Sequence, residues 1–413
     1  MPILEAIRLA FGTIRAQKLK SFFSLIGAFI GVMFLIAVVS IVKGMDRYVQ
    51  EDFAAKIFGI NTFSVSRRPG FHAGEVSQAL RRAWARRPQL YWDDYHAIRA
   101  ALPPQDLVAI QSSNQAEGQA GAKTSSFLQV SGVSQDFFQI RDYEIADGRV
   151  FSPEEISHGV NVVVIGRDVA DSFFTGQDPV GQTLRIAGFP YTVIGVVQKQ
   201  GTVFGISLDR FALAPYTSPI KTVVNPRKVV DEIIVKAPTL AGMRDAMDQV
   251  EAVMRTRHHL RPYQDDDFSL TTQQDVLSFW AKISRVLYTA LPLLVGVSLV
   301  VGGIVIMNIM LMAVAERTRE IGIRKSLGAR RRDILAQFLV ESATLSTTGA
   351  VLGILAGLAL ARIVQAVSPL PMGVSPLSIV IGVALGVGVG MIAGVYPANR
   401  AAKLDPVVAL RYE

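Results

Sequence analysis

Between Glu316 and Asp333 the sequence ERTREIGIRKSLGARRRD sets seven basic and three acidic side chains into 18 positions. No nucleophile stands beside a general base there, so the chemistry open to the stretch is recognition. Ile321, Ile323 and Leu327 are its apolar members. Ile323 and Leu327, four apart, share one face of a helix, and Gly328 suits that helix's end. A solvated loop needs no such face, so the spacing predicts a docking helix. The competing reading is a loop that only obeys the charge rule for membrane faces.

Elsewhere the reactive side chains are scattered. His72, His96, His158, His258 and His259 show no metal-ligand spacing beyond one adjacent pair, and cysteine is absent. No hydrolase elbow or triad is visible. Catalytic, cofactor and metal sites are therefore not expected, and the chain reads as non-enzymatic. Glu341 lies eight residues past Asp333, about 12 Å along a helix. Within an apolar run an acid is costly unless paired or wet. The expectation is a structural hydrogen bond to Gln337 or a neighbouring span; the alternative is a proton or substrate site. Arg81, Arg82, Arg86 and Arg87 read as a solvated helix face, with contact to anionic lipid headgroups, lipopolysaccharide or an acidic partner as the alternative.

Four apolar runs must position these residues. Phe22–Val42, Val286–Ala315 and Val374–Tyr396 carry no charge, and Ile334–Val364 carries only Glu341 and Arg362. Each is long enough to cross a hydrocarbon core of about 30 Å. The expected spans are 22–42, 283–315, 334–364 and 374–396. Residues 1–21 carry a net charge of +3, 316–333 of +4 and 397–413 of +1, whereas 43–285 is neutral. The whole cationic excess thus lies on one side, predicting both termini and the 316–333 segment in the cytoplasm. A nucleic-acid partner is not needed to explain the basic balance.

Residues 3–19 have helical apolar spacing and predict an amphipathic surface helix within 1–21. The run after it is too long for a signal peptide, and no small-x-small cleavage site follows Val42, so it stays as an anchor. Residues 43–282 form an exported domain. Ile60–Ser66, Phe127–Val133, Val160–Ile165, Gln182–Ile186, Tyr191–Val197, Ile233–Val235 and Phe268–Thr272 read as strands, and Asp93–Leu102 and Ala241–Arg257 as helices. The fold class is an α-helical membrane protein with four transmembrane helices and a large extracytoplasmic α+β domain of two lobes between helices 1 and 2. One lobe, about 132–216, is read as inserted in the other. Within the spans, Gly27 and Gly31 form a pair, while Gly349, Gly353 and Gly357, and Gly382, Gly386, Gly390 and Gly394, recur every four residues. Such rows make smooth grooves for close helix approach, within one subunit or between two.

These residues resemble the MacB/FtsX-type permeases of ABC transporters. The segment Glu316–Gly328 looks like the family's signature loop, followed by a similar Gln337-Phe-Leu-Val-Glu341. KLKSFFSLIGAFIGV is similar to its first span and Tyr396-Pro-Ala-Asn-Arg-Ala-Ala-Lys-Leu-Asp-Pro406 to its closing motif. Gly132-Val, Gly148-Arg-Val-Phe, Val164-Ile-Gly166, Asp178-Pro-Val-Gly-Gln182 and Val193-Ile-Gly-Val196 are similar to its periplasmic core domain. The resemblance implies an inner-membrane dimer, of two copies or of this chain with a paralogue, served by a cytoplasmic ATPase. It implies that Glu316, Arg317, Arg319, Glu320, Ile321, Ile323, Arg324, Lys325, Leu327 and Gly328 couple to that ATPase, whose cycle moves the exported domain by mechanotransmission. Some family members carry the ATPase on the same chain. This sequence has no G-x-x-x-x-G-K-[ST] loop, and 21 residues before the first span leave no room for a nucleotide domain. ATP and Mg are therefore expected on a separate partner chain.

Two functions fit. The first is export of a drug, peptide, lipid or lipoprotein, with a periplasmic adaptor and outer-membrane channel as further partners beside membrane lipids. The second is a non-transporting scaffold that relays ATPase cycling to a cell-wall hydrolase. An exported domain of 240 residues favours the first.

Overall fold

A computed structural model describes residues 18–50, 59–70, 76–203, 206–225, 228–367 and 372–410. The amphipathic surface helix expected over 3–19 falls outside the described residues except for 18–19, which open the first spanning helix. The chain divides into two compact units, one of Tyr48–Lys282 and one of the residues on either side of it.

The Tyr48–Lys282 unit is built on strands. β1 (Thr62–Ser66), β2 (Leu90–Tyr91), β3 (Leu107–Ala120), β4 (Lys123–Val133) and β5 (Ile145–Gly148) come first. β6 (Val162–Ile165), β7 (Thr183–Ile186), β8 (Phe189–Val197), β9 (Thr202–Val203) and β10 (Ile206–Ser207) follow. β11 (Phe211–Pro215), β12 (Val229–Val230), β13 (Glu232–Lys236) and β14 (Ser269–Thr272) complete the set. Ten of them form one sheet in the order β14-β1-β13-β3-β4-β11-β6-β8-β5, with β7 pairing β3 and β8. β4 with β11 and β6 with β8 run parallel. The residues of β6, Val-Val-Val-Ile, are buried throughout, as expected of a strand covered on both faces.

Alternation along the strands sorts the side chains into separate cores. Val108, Ile110, Ile233 and Val235 pack with Ile98 and with Met243, Val250 and Met254 of the helices Trp92–Ala101 and Leu240–Arg257. The intervening Ala109 and Ile234 turn instead to Phe137, Phe151, Val162, Val164 and Phe211. Val163 and Ile165 form a third cluster with Phe173, Leu184 and Tyr191. The lobe boundary expected at 132 therefore falls inside β4, and the two lobes are two ends of one sheet. A shared core holds them, because residues on both sides of that boundary have alternate side chains on the same sheet face.

The second unit holds four helices long and apolar enough to cross a membrane: Lys18–Tyr48, Gln273–Glu316, Arg331–Val367 and Pro376–Lys403. All are longer than the runs expected from the sequence. Gln273–Glu316 starts 13 residues before Val286, where the backbone N–H and hydroxyl of Thr272 both donate to Asp275 Oδ2, at 2.7 and 2.8 Å. The glycine rows are consumed within the chain. A Cβ at Gly27 would collide with Gly302 Cα, so the first and second spans touch backbone to backbone. Gly349, Gly353 and Gly357 face the carbonyls of Leu25, Phe29 and Met33 of the first span. Gly386 and Gly390 receive Ala350 and the Ser342–Ala343 backbone of the third span, Gly394 meets Ser342, Gly382 meets Val32, and Gly31 meets Leu299.

Candidate functional site

The Glu316–Asp333 block folds as a short helix, Thr318–Ser326, between the second and third spans. Its end is set by Gly328, whose φ of +94° suits the left-handed turn glycine makes after a helix. Ala329 N then donates to Arg324 O at 3.1 Å, and Arg330 N to Asp333 Oδ2 at 3.0 Å, which caps the next helix.

One side of the short helix is anchored. Ile321 is 1 % exposed and packs with Met310, Val314, Ile334, Phe338 and Ala401, and Thr318 and Gly322 are buried beside it. Three polar straps add to this. Arg317 Nη1 donates to Glu341 Oε1 at 3.1 Å and Oε2 at 3.4 Å, and Glu341 is 5 % exposed. Arg324 Nη1 donates to Gln337 Oε1 at 2.9 Å. Lys325 Nζ donates to the carbonyls of Ala402 at 3.0 Å and Leu404 at 2.5 Å, where the fourth span ends and a helix dipole favours a cation.

Glu341 thus has a structural partner, though it is Arg317 across the helix turn rather than Gln337. Of the residues assigned to docking, Ile321, Arg317, Arg324 and Lys325 face the spans. Glu316, Arg319, Glu320, Ile323, Leu327 and Gly328 stay exposed, with Ile323 at 45 % and Leu327 at 82 %. The short helix packs against a last helix, Pro406–Leu410, whose Val407 and Val408 are also exposed. Sequence reasoning left these two in a plain tail; the Pro406 helix start and the pair of valines were the available signal.

In the sheet unit, Arg87 is structural: it donates to Arg67 O, Ser269 Oγ and Asp266 O at 2.7–3.1 Å. Burial lowers its pKa. Arg81, Arg82 and Arg86 remain exposed. Among the described residues no group of three or more His, Asp or Glu is placed to hold a metal ion.

A sheet domain set between the first and second of four spans, with a short charged helix between the second and third, defines a multi-pass permease architecture. The MacB-like periplasmic core domain matches residues 21–253, and the FtsX-like permease C-terminal domain matches residues 292–406. The chain belongs to this MacB/FtsX-like family of ABC transporter permeases, multi-pass proteins of the inner membrane. It is 30 % identical to the macrolide export ATP-binding/permease protein MacB of Syntrophobacter fumaroxidans, over 99 % of this chain and 64 % of that one. It is 32 % identical to the protein of the same description from Bdellovibrio bacteriovorus, over 100 % of this chain and 62 % of the other. The chain therefore spans about three fifths of the length of these relatives. The periplasmic region of MacB from Actinobacillus actinomycetemcomitans is similar over 56 % of this chain and 96 % of that one, with 18 % identity and a TM-score of 0.43.

Proposed function

We propose that the chain is the permease subunit of an ABC exporter whose ATPase docks on the short helix Thr318–Ser326. ATP and Mg bind on that ATPase, a separate polypeptide in this reading. Its cycle moves the Tyr48–Lys282 domain and so drives export of a drug, peptide, lipid or lipoprotein. A second permease copy or a paralogue completes the machine, with a periplasmic adaptor and outer-membrane channel beyond it. Both termini face the cytoplasm, as the charge distribution favours. The relatives' description as macrolide export proteins supports the drug among these cargoes.

One observation carries the reading: the short helix is strapped inward by Arg317, Arg324 and Lys325 yet leaves Ile323 and Leu327 bare. Apolar side chains on a rigidly held charged helix fit a docking surface. Ile323→Asp or Leu327→Asp is expected to release the ATPase on co-purification while the permease stays folded. A truncated or polar-substituted anchor of this kind costs about 1–3 kcal/mol. Arg331→Ala, at an exposed charge, should cost about 0–1 kcal/mol. Full ATPase binding and hydrolysis by both Asp variants would refute the docking role. Orientation is tested with single cysteines at the exposed Ser126 and Ser326. An impermeant thiol reagent should label the first and spare the second in intact cells with a permeable outer membrane.

A further inference from the structure

At the end of the spans away from helix Thr318–Ser326, the first, second and fourth spans leave a cavity of about 460 Å³ between them. Leu35, Val39, Leu291, Val295, Ile381 and Leu385 are among the apolar residues of its wall. Two residues of the second span keep it open. Pro292 has no N–H for the Tyr288 carbonyl, which loosens the helix at the mouth. Gly296 removes a side chain at mid-depth, and a Cβ placed there meets no atom within 4 Å. A hole lined by apolar side chains inside a membrane protein is a place for hydrocarbon.

The mouth is polar and cationic. Lys43 Nζ donates to Ser375 Oγ at 2.7 Å, and Ser375 is itself buried at the start of the fourth span. An ammonium has three donors, so two remain after this contact. No described acid forms an ion pair with Lys43; Asp46, one turn on, accepts from the hydroxyl of Tyr288 at 3.2 Å. A lysine near a span end ordinarily swings out to the interface water. Here the ammonium is held on Ser375 at the opening of the apolar cavity.

We propose that this is a binding site for an anionic phospholipid, with one acyl chain in the cavity and the phosphate on Lys43. The site stands apart from ATPase docking, and its test needs no ATPase. The full chain is purified in detergent, delipidated and titrated in native mass spectrometry with palmitoyl-oleoyl-phosphatidylglycerol, with phosphate-free dioleoylglycerol and with inorganic phosphate. The first phosphatidylglycerol is expected to bind at least tenfold more tightly than dioleoylglycerol, and phosphate alone should not bind. A hydrogen-bonded contact to a charged group corresponds to a loss of about tenfold or more. Lys43→Gln should therefore cancel the preference for phosphatidylglycerol while leaving dioleoylglycerol binding unchanged. Gly296→Phe fills the cavity and should abolish retention of both. Equal affinity of the Lys43→Gln variant and the original protein for phosphatidylglycerol would overturn the site. So would wild-type protein that binds no lipid and whose dimer is disrupted by Gly296→Phe, because a second copy would then cover the cavity.

Discussion

The sheet unit and the helical unit are packed by opposite rules. In the sheet unit the interior is filled by bulky side chains: Phe63, Phe137, Phe151 and Ile110 are fully or almost fully buried, and the backbone is engaged in the ladder. In the helical unit the spans meet where side chains are missing, as at Gly27 against Gly302 and at Gly390 against the Ser342–Ala343 backbone. The reason lies in the solvent. Water drives bulky apolar groups together in the first case. Lipid offers no such drive in the second, so association depends on close backbone approach and polar contacts. The two units should therefore respond differently to the same size of change.

The largest effect is expected from Gly27→Leu, whose first side-chain atom already requires the Gly302 backbone to move. Folded yield in detergent should collapse, while normal yield and melting temperature would mean that the two spans are not held at that crossing. Next is Glu341→Ala, which removes the buried carboxylate that Arg317 grips and should cost about 1–3 kcal/mol. Glu341→Gln, which keeps an acceptor, should cost clearly less in thermal melts. Equal losses would show that the strap acts through packing alone.

In the sheet unit, Ile110→Val removes one methylene from a tolerant core and should cost only about 0.5–1.5 kcal/mol. A collapse comparable to that at Gly27 would erase the contrast between the units. The smallest effect is local to one ring. Burial raises the pKa of Tyr95 to about 12, with Tyr216 and Asp136 adding to the shift. The unfolded chain loses that proton near pH 10, so between pH 10 and 12 the folded state binds the extra proton and stability falls as pH rises. Tyr95→Phe should remove that part of the alkaline decline in a melt-against-pH series, and an unchanged slope would refute the assignment.

Much of this was legible in the sequence, and the gaps have physical causes. Uncharged runs and positive segments reveal spans because lipid tolerates few other compositions. β6 and β8 were readable from their β-branched residues. β3 was not: Gln-Ser-Ser-Asn-Gln-Ala-Glu-Gly-Gln is polar, and it is a strand only because β13, β4 and β7 pair with it. Gly302 escaped notice because Gly302-Gly303 lies in an apolar run with no partner four residues away. At the candidate docking site, the exposed Ile323 and Leu327 were legible. The ion pair of Arg317 with Glu341 was not, since the two lie 24 positions apart on either side of a helical turn.

The three inward straps also divide the site by its sensitivity to ionic strength. At 1 M salt the screening length falls to about 3 Å, which silences exposed charges such as Arg319 and Arg331 but reaches buried pairs far less. The buried Glu341 side chain and the lysine clasp on the fourth span's last carbonyls are largely shielded from it. A high-salt wash should therefore weaken whatever the outer charges of the short helix hold in place without disturbing the helix. Under the proposed docking, the segment's grip on a partner and its grip on the membrane unit would loosen separately.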